Sequence, residues 1–503
     1  MKKSVLALMI IICSIGLKAE VKLPSVFSNN MVLMQLSEAS IWGKADPGEN
    51  VSITVSWNKD VYKNVADKDG NWLIKVTTPA ATVNQTIVIR GNNSITIGNV
   101  LIGEVWLCSG QSNMEYTVDV DTVERWCLGI DNKEKYISEA DYKNIHLFHI
   151  PRNPAAEELD DCPGKWVVCT PENIKLFSSI GYIFGRKIHL ETGYPVGIIA
   201  SSFGGTRIEA WTKSSVIEGN PLYETPAVNA NRPPASAPAN AQRPQATGQQ
   251  FPRMSEAQME QFRMMMRPSV MWNGMINPIC PYTFSGVLWY QGESNASNAK
   301  AYSQMFTNMI QSWRSEFGNS DLPFYFVQLA PYDEPRGDYA ALREAQTHVW
   351  KTVANTGMAV ITDAGIEKNV HPTNKTIPAE RLAAWALNRN YGHYVPCESP
   401  VLDSYYVEGN SVVIKFKYAT GGLKVADGDK ELVGFTISSN GNDFYNAKAE
   451  IMGFNAVRVT SPEVSKPTIV RFGWSNWLIA NLYNNAGLPA SPFRTDSIND
   501  EKR

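Results

Sequence analysis

The chain has 503 residues, a net charge of −3 at pH 7, 44% hydrophobic residues and 10% aromatic residues. These values are typical of a globular protein, and the length is enough for about three domains. The nearly balanced charge gives no electrostatic case for binding nucleic acid or an anionic membrane surface, so neither is expected as a partner.

The N-terminus has the pattern of a secretory signal peptide. Lys2 and Lys3 precede an apolar run from Val5 to Leu17, and the small residue Ala19 follows. This order of charge, apolar run and small residue predicts a signal peptide over residues 1–19 and an exported protein, periplasmic or extracellular. An uncleaved anchor is the alternative. No later segment has the roughly 20 apolar residues of a membrane span, so no membrane insertion is expected after cleavage.

Six of the seven cysteines lie beyond the predicted signal: Cys108, Cys127, Cys162, Cys169, Cys280 and Cys397. An even count in an exported chain permits disulfides, but six cysteines allow many pairings and the spacing selects none of them. The sequence has no CxxC pair and no His-rich cluster. We therefore expect no metal site and no cofactor.

Residues 20–100 alternate short strands with turn residues such as Asp46-Pro47-Gly48 and Gly91-Asn92-Asn93. This spacing predicts a small antiparallel β-sandwich. The segment contains no candidate nucleophile or base cluster, so a scaffold or carbohydrate-facing support is the expected role.

Residues 101–394 follow a different rhythm, in which apolar strands alternate with longer helical segments. The predicted helices cover residues 178–191, 299–317, 340–355 and 379–388. Such units predict an α/β fold with a parallel sheet and helices on both faces, where loops at the carboxyl ends of the strands form the site. Residues 395–503 return to short strands and predict a second small β-rich domain.

The segment 215–268 interrupts this rhythm, because it is rich in Pro, Ala, Asn and Gln and has too few apolar residues to form a core. A disordered low-complexity insert is the favoured interpretation. The alternative is a lid, in which Met254, Met259, Phe262 and Met266 form one side of a short helix over the site.

The stretch GEVWLCSGQSNM, residues 103–114, runs an apolar strand into a turn of small polar residues. A hydroxyl at such a turn stands at the carboxyl end of the sheet, where its own backbone N–H can help bind an oxyanion. Ser112 is therefore a candidate nucleophile. The alternative is an ordinary helix with Ser112 or Asn113 as its N-cap.

A serine nucleophile needs a base, and histidine is the usual one near neutral pH. Of the six histidines, His371 lies in a loop between a predicted strand and a predicted helix, at the expected carboxyl edge of the sheet. Pro372 restricts His371 to an extended backbone. His371 is the favoured base, although any one of the six taken alone is more often an ordinary surface or core histidine.

Two further loops carry groups that an acyl-transfer site requires. Gly204 and Gly205 follow a predicted strand, and their backbone N–H groups can approach an oxyanion without a Cβ in the way. Asn295 follows another strand, and its side-chain amide can donate to the same oxygen.

The blocks VWLCSGQSNM, SFGGTRIEAW, VLWYQGESNA and HPTNK…RLA resemble the motifs of SGNH-type esterases, most closely the sialate O-acetylesterase-like branch. This branch includes bacterial esterases that deacetylate plant polysaccharides. The resemblance implies an SGNH-hydrolase-like parallel sheet with flanking helices. It also implies removal of an O-acetyl group from a sugar through an acetyl-enzyme intermediate, without metal.

Site roles carry over from the resemblance as well. Ser112 would be the nucleophile and His371 the base, while the Ser112 N–H, Gly205 (or Gly204) and Asn295 would form the oxyanion hole. The remaining matches near the pocket are candidate substrate-binding residues: Gln111, Gly204, Arg207, Glu209, Trp211 and Gln291.

The chain departs from the family pattern at Asn369, where related sequences commonly have an aspartate two residues before the histidine. An amide can orient an imidazole but cannot stabilise imidazolium by charge. Candidate acids are Asp363, Glu293 and Glu367. Three alternatives follow: the enzyme uses a Ser-His dyad, its triad acid comes from another position, or its activity is weakened.

The leading hypothesis is an exported carbohydrate O-acetylesterase, with sialic acid or a hemicellulose such as xylan or xyloglucan carrying the acetyl group. The alternatives are a carbohydrate-binding protein with a decayed esterase site and an esterase for lipid or aryl esters. The sequence predicts no particular oligomeric state.

Overall fold

The computed structural model describes residues 20–122, 126–223, 256–334, 337–477 and 480–496. The predicted signal peptide lies outside the described residues, as does the part of the predicted insert from residue 224 to 255.

The N-terminal strands alternate buried and exposed residues, as an antiparallel sheet with one covered face requires. In the fifth strand Trp72, Ile74 and Val76 point into the core while their neighbours are exposed. The strands are β1 (Val32–Met34), β2 (Glu38–Lys44), β3 (Asn50–Val55), β4 (Val61–Val65), β5 (Asn71–Thr77), β6 (Thr82–Arg90) and β7 (Ser94–Gly110).

Strand β7 belongs to both the N-terminal strands and the central sheet. Its first half pairs antiparallel with β6, whereas its second half has parallel neighbours on both sides. From Val100 to Gly110 every residue is buried, which is the pattern of a strand covered on both faces. The predicted boundary at 100/101 therefore lies within one continuous strand, and the domain limits stay predictions.

The central sheet has the order β13-β12-β11-β7-β10-β8-β9, and all of these neighbours are parallel except β8 and β9. Its remaining strands are β8 (Tyr142–His149), β9 (Trp166–Cys169), β10 (Val196–Ser202), β11 (Gly286–Tyr290), β12 (Phe324–Gln328) and β13 (Thr356–Val360).

Helices pack on this sheet in two pairs, α3 with α8 and α6 with α7. Ser178 and Asp338 cap α3 and α7, since each side chain accepts a backbone N–H of the first turn. The helices are α1 (Ser112–Glu115), α2 (Lys133–Ser138), α3 (Ser179–Thr192), α4 (Ser214–Ile217), α5 (Glu256–Met265), α6 (Ala299–Glu316), α7 (Tyr339–Thr352) and α8 (Thr376–Arg389). Short 3₁₀ or π turns cover Ile208–Trp211, Pro221–Tyr223, Trp272–Ile276, Asn277–Ile279 and Glu293–Asn298.

The C-terminal region forms two four-stranded antiparallel sheets and a two-stranded one around a second hydrophobic core. Its strands are β14 (Val401–Glu408), β15 (Ser411–Lys417), β16 (Leu423–Val425), β17 (Phe435–Ser438), β18 (Tyr445–Asn446), β19 (Lys448–Met452), β20 (Ala456–Thr460), β21 (Ile469–Phe472), β22 (Leu482–Asn484) and β23 (Phe493–Arg494). The predicted fold class, a parallel sheet with flanking helices plus β-rich regions, is confirmed.

The described ends of the predicted insert are partly helical. Helix α5 lies where the alternative interpretation placed a short helix, rather than the favoured disorder. A Cβ built on Gly205 would come within 3.1 Å of Met265 Cε, so the end of α5 lies against the Gly204-Gly205 loop.

No helix among the described residues has the length and apolar character that crossing a membrane requires. The six described cysteines are all free thiols in the structure.

Candidate active site

Strand β7 delivers Ser112 to the carboxyl edge of the sheet through a turn that only glycine can make. Gly110 has φ of +137°, and a Cβ there would lie 2.2 Å from the carbonyl oxygen of Tyr290. The next residue, Gln111, donates its N–H to that same oxygen at 3.0 Å. Ser112 then begins α1 and is 7% exposed.

The loop after β13 brings His371 to this serine. His371 Nε2 lies 2.8 Å from Ser112 Oγ, which is hydrogen-bond distance for a base taking the serine proton. The Asn369 side chain accepts the backbone N–H of His371 at 2.9 Å. Asn369 thus shapes the backbone of the base loop and does not accept from the imidazole.

The imidazole of His371 is held mainly by aromatic rings. The Trp126 ring lies 4.7 Å from it, centroid to centroid, and the Tyr116 ring 6.3 Å. No hydrogen bond to His371 Nδ1 occurs within the described parts of the chain. Burial, with a smaller contribution from the positive charge of Lys375, lowers the pKa of His371 to about 4. His371 is therefore neutral near pH 7, as a general base must be.

The three candidate acids have other partners. The Asp363 carboxylate makes two hydrogen bonds with Arg381, at 2.6 and 2.7 Å, and accepts a third from Tyr483. Glu367 is exposed, 4.0 Å from Lys368. Glu293 accepts from the Asn113 amide at 2.5 Å. None of the three hydrogen-bonds the imidazole in the described structure, and their assignment as the triad acid stays a prediction.

The two glycines differ in their availability as oxyanion donors. The Gly204 N–H donates to Glu115 Oε2 at 2.8 Å, and Glu115 is itself paired with Arg152 at 2.6 Å. A Cβ on Gly204 would lie 3.1 Å from Ser112 Cβ, so this loop is packed directly on the serine. Gly205 is exposed, with φ of +77°. Its N–H has no acceptor within the described residues, which favours Gly205 over Gly204.

Asn295 is fully buried and connects the loop after β11 to the loop after β10. Its Nδ2 donates to Glu209 Oε2 at 2.8 Å, while its Oδ1 accepts from Gln291 Nε2 at 2.8 Å and from the Ile208 N–H at 3.0 Å. One of the two amide protons remains for an oxyanion. Its donor role stays a prediction.

Three of the predicted substrate-binding residues hold the site together from inside. Gln111 Oε1 accepts the N–H groups of Gly292 and Ser294, both at 3.3 Å. Gln291 and Trp211 are 0% exposed, and Trp211 donates to Thr206 at 2.8 Å. Their side chains support the loops that carry the candidate donors.

Arg207 and Glu209 each keep one polar atom without a partner. Within the described residues, Arg207 Nη1 and Glu209 Oε1 are buried and form no hydrogen bond. Leaving a buried charged group unpaired is unfavourable, and a ligand group that pairs with it gains correspondingly. The role of these two residues in substrate binding stays a prediction.

Sequence reasoning missed several residues that surround Ser112 and His371, namely Asn113, Glu115, Trp126, Arg152 and Lys375. Asn113 and Lys375 lie inside the motif blocks VWLCSGQSNM and HPTNK, and this position is the feature of the sequence that indicates a place near the site. The other three lie where no pattern singles out a residue. A cavity of 220 Å³ beside the site is lined in part by Glu115, Trp126 and His149.

Comparisons with known proteins show the family to which the chain belongs. A family model described as a carbohydrate esterase, sialic acid-specific acetylesterase, matches residues 102–233 and 248–383. The sialate O-acetylesterase of Mus musculus is 28% identical over 93% of this chain and 93% of its own length. That of Rattus norvegicus is 30% identical over 77% of each chain.

A solved structure gives the same result. The crystal structure of a carbohydrate acetylesterase from Xanthomonas citri superposes with a TM-score of 0.80 and 29% sequence identity, covering 95% of this chain and 100% of that one. The family model and these relatives together cover both the catalytic sheet and most of the regions around it. The chain therefore belongs to the sialic acid-specific acetylesterase family of carbohydrate esterases, and it is an esterase of acetylated carbohydrate.

Proposed function

We propose that the protein is an exported serine O-acetylesterase that removes acetyl groups from sugars through an acetyl-enzyme on Ser112. The observation that carries this proposal is the 2.8 Å contact between Ser112 Oγ and His371 Nε2. It lies at the carboxyl edge of a parallel sheet, where loops from four strands meet.

In the first half of the reaction, Ser112 Oγ attacks the acetyl carbonyl carbon while His371 Nε2 takes the serine proton. The C–O bond to the sugar then breaks, and His371 returns the proton to the departing sugar oxygen. In the second half, His371 takes a proton from water, whose oxygen attacks the acetyl-enzyme. Acetate leaves and Ser112 regains its proton.

The carbonyl oxygen becomes negative in each half of the reaction, and backbone donors stabilise this charge. The N–H groups of Ser112 and Gly205 are the donors that the geometry favours, with the spare amide proton of Asn295 as a third.

The acetyl carrier is sialic acid or a hemicellulose such as xylan or xyloglucan. Two observations support the acidic sugar. Curated relatives are named sialate O-acetylesterases. The unpaired guanidinium nitrogen of Arg207 has the chemistry that receives a carboxylate, because a guanidinium donates hydrogen bonds to both carboxylate oxygens.

Acetate release from O-acetylated sialic acid, its carboxyl methyl ester, acetylated xylan and acetylated xyloglucan tests both parts of the proposal. We expect Ser112→Ala to lose at least about 10³-fold in kcat, as removal of a serine nucleophile does. Ser404→Ala, on an exposed strand of the C-terminal region, is the matched control and should retain full activity. Full activity of Ser112→Ala contradicts the mechanism, whereas equal turnover of the acid and its methyl ester contradicts recognition of the carboxylate.

Export rests on the charge and apolar pattern of residues 1–19. Mass spectrometry of the N-terminus and cell fractionation test it. A mature chain beginning near residue 20 outside the cytoplasm is the expected result, and a full-length chain retained in the cytoplasm contradicts it.

A further inference from the structure

A buried polar bridge lies behind Ser112 and His371. Lys375 Nζ donates to Asn113 Oδ1, and Asn113 Nδ2 donates to Glu293 Oε1 and to the Val370 carbonyl oxygen, the latter at 3.0 Å. Lys375 is 1% exposed and Asn113 is 1% exposed. A lysine buried this completely is rare, and none of the catalytic steps above uses it.

The chemistry of the partners fixes which way the Asn113 amide points. An ammonium can only donate hydrogen bonds, so Lys375 must face the amide oxygen. The Val370 carbonyl can only accept, so it must face the amide nitrogen, which also donates to Glu293 Oε1. Burial raises the pKa of Glu293, and the nearby charge of Lys375 opposes this shift. A flipped amide would oppose donor to donor and acceptor to acceptor in a buried place. Lys375 therefore holds Asn113 in one orientation.

Through that orientation, Lys375 ties the base loop to the serine turn. Asn113 directly follows Ser112, while Val370 directly precedes His371. The Asn113–Val370 hydrogen bond thus joins the residues adjacent to the nucleophile and the base. Lys375 itself lies four residues after His371, so the bridge fastens the base loop on both sides of the histidine.

The ammonium also acts by its charge. Its Nζ lies 4.6 Å from the centre of the Tyr116 ring and 5.9 Å from that of Tyr290. Burial lowers the pKa of Lys375 to about 7, while the nearby charge of Glu293 opposes this shift. The positive charge of Lys375 in turn contributes to the low pKa of His371.

We propose that Lys375 is the positioning residue of this esterase site, holding His371 on Ser112 through its hydrogen bond to Asn113. The inference rests on the proposed function. In this arrangement a buried lysine bridge fixes the backbone of the base loop beside the nucleophile, while the rings of Trp126 and Tyr116 pack on the imidazole itself. The positive charge of Lys375 keeps His371 unprotonated at acidic pH. When Lys375 loses its proton near pH 7, the repulsion between Lys375 and the His371 imidazolium that forms during turnover is removed.

Four lysine variants separate the two effects by their kcat, KM and pH profiles. For Lys375→Met we expect kcat to fall about tenfold with KM within about twofold, because the bridge positions the base and does not touch substrate. The acidic limb of kcat/KM should move up by about one pH unit, since His371 regains proton affinity. Lys375→Gln keeps a donor without charge and should show the same pH shift with a smaller loss of kcat.

Lys375→Arg keeps the charge, so the acidic limb should stay in place. Lys368→Met removes an exposed lysine of the same loop, whose partners are Asp333 and Glu367, and should change neither kcat nor the acidic limb. A kcat in Lys375→Met equal to that of the parent enzyme overturns the positioning role. An acidic limb that is the same in Lys375→Met, Lys375→Gln and the parent enzyme overturns the charge effect.

Titration of His371 by NMR in the Ser112→Ala background gives a readout that does not require turnover. The His371 signal is identified by its loss in His371→Asn. We expect its titration midpoint to rise in Lys375→Met and Lys375→Gln, and an unchanged midpoint overturns the charge effect. A parent enzyme that releases no acetate contradicts the proposed function instead, and the titration then still decides the role of Lys375.

Discussion

At the scale of single residues, the site combines a base that the sequence could identify with surroundings that it could not. His371 was singled out because it follows a strand and precedes a helix and Pro372, which are local features. The contacts of Trp126 and Lys375 depend on which distant segments fold onto the base loop. A buried lysine and a surface lysine have the same letter, so only the tertiary structure distinguishes Lys375 from Lys368.

The ring of Trp126 should determine how well His371 is oriented, because no hydrogen bond to Nδ1 occurs among the described residues. In Trp126→Ala the imidazole loses a packed face and gains water. We expect kcat to fall about fivefold to tenfold, and the pKa of His371 to rise towards its ordinary value as burial is lost. The enzyme loses activity when His371 is protonated as the pH falls. Because the pKa of His371 is higher in the variant, this loss of activity begins at a higher pH than in the parent enzyme.

Kinetics between pH 4 and 8 measure both effects of Trp126. Trp126→Phe keeps an aromatic face and is the matched variant, in which the acidic limb should stay close to that of the parent. If kcat and the acidic limb of the pH profile are both unchanged in Trp126→Ala, the Trp126 ring does not orient His371.

At the scale of elements, the strands and helices of the central sheet follow from patterns visible in the sequence. Helix α6 was predicted over 299–317 and spans Ala299–Glu316, because its apolar residues recur at helical spacing. The antiparallel and parallel halves of β7 were not predicted as one strand. Their residue patterns differ, since the first half has one covered face and the second half has two, and the change in pattern resembled a domain boundary.

The turn that ends β7 gives a prediction at this scale. Gly110→Ala combines a Cβ too close to the Tyr290 carbonyl with a backbone angle that alanine resists. We expect the free energy of unfolding to fall by about 3 kcal/mol. Gly193→Ala is the matched control, because Gly193 has φ of +72° with no atom within 4 Å of its added Cβ. That change should cost only about 1 kcal/mol.

Urea unfolding of the two glycine variants separates two contributions to the loss of stability at Gly110, the close contact with the Tyr290 carbonyl and the strain of the backbone angle. Equal losses in Gly110→Ala and Gly193→Ala would mean that the contact with Tyr290 adds nothing. A larger loss in Gly110→Ala would show that β11 fixes the position of the serine turn.

At the scale of the whole molecule, the C-terminal region braces the catalytic sheet through a buried arginine. Arg343 of α7 is 1% exposed and donates to the carbonyls of Leu329, Ala330, Ser475 and Asn476. Burial lowers its pKa to about 10, so it remains charged at neutral pH. The sequence predicted a β-rich C-terminal region but not this connection, because it depends on how two distant segments pack.

Arg343→Met should leave several buried carbonyls without a donor and lower the free energy of unfolding by about 3 kcal/mol. Arg314→Met is the matched variant, since Arg314 is also buried and donates only to carbonyls of Leu322, Ala354 and Asn355. Both variants should unfold at lower urea concentration. Limited proteolysis should cut residues 395–496 faster in Arg343→Met alone. Equal protection of that region in both variants contradicts the bracing role.

The continuity of β7 also affects the order in which the chain can fold as it is synthesised. Its antiparallel partner β6 emerges before it, so the first half of β7 can pair at once. The second half waits for β10 and β11, and β11 ends at Tyr290, 180 residues after β7 ends. Both edges of this apolar half are unpaired until β10 emerges, and one edge stays unpaired until β11 emerges, which is a form prone to aggregate. The strand that leads to the nucleophile therefore needs protection from aggregation during synthesis.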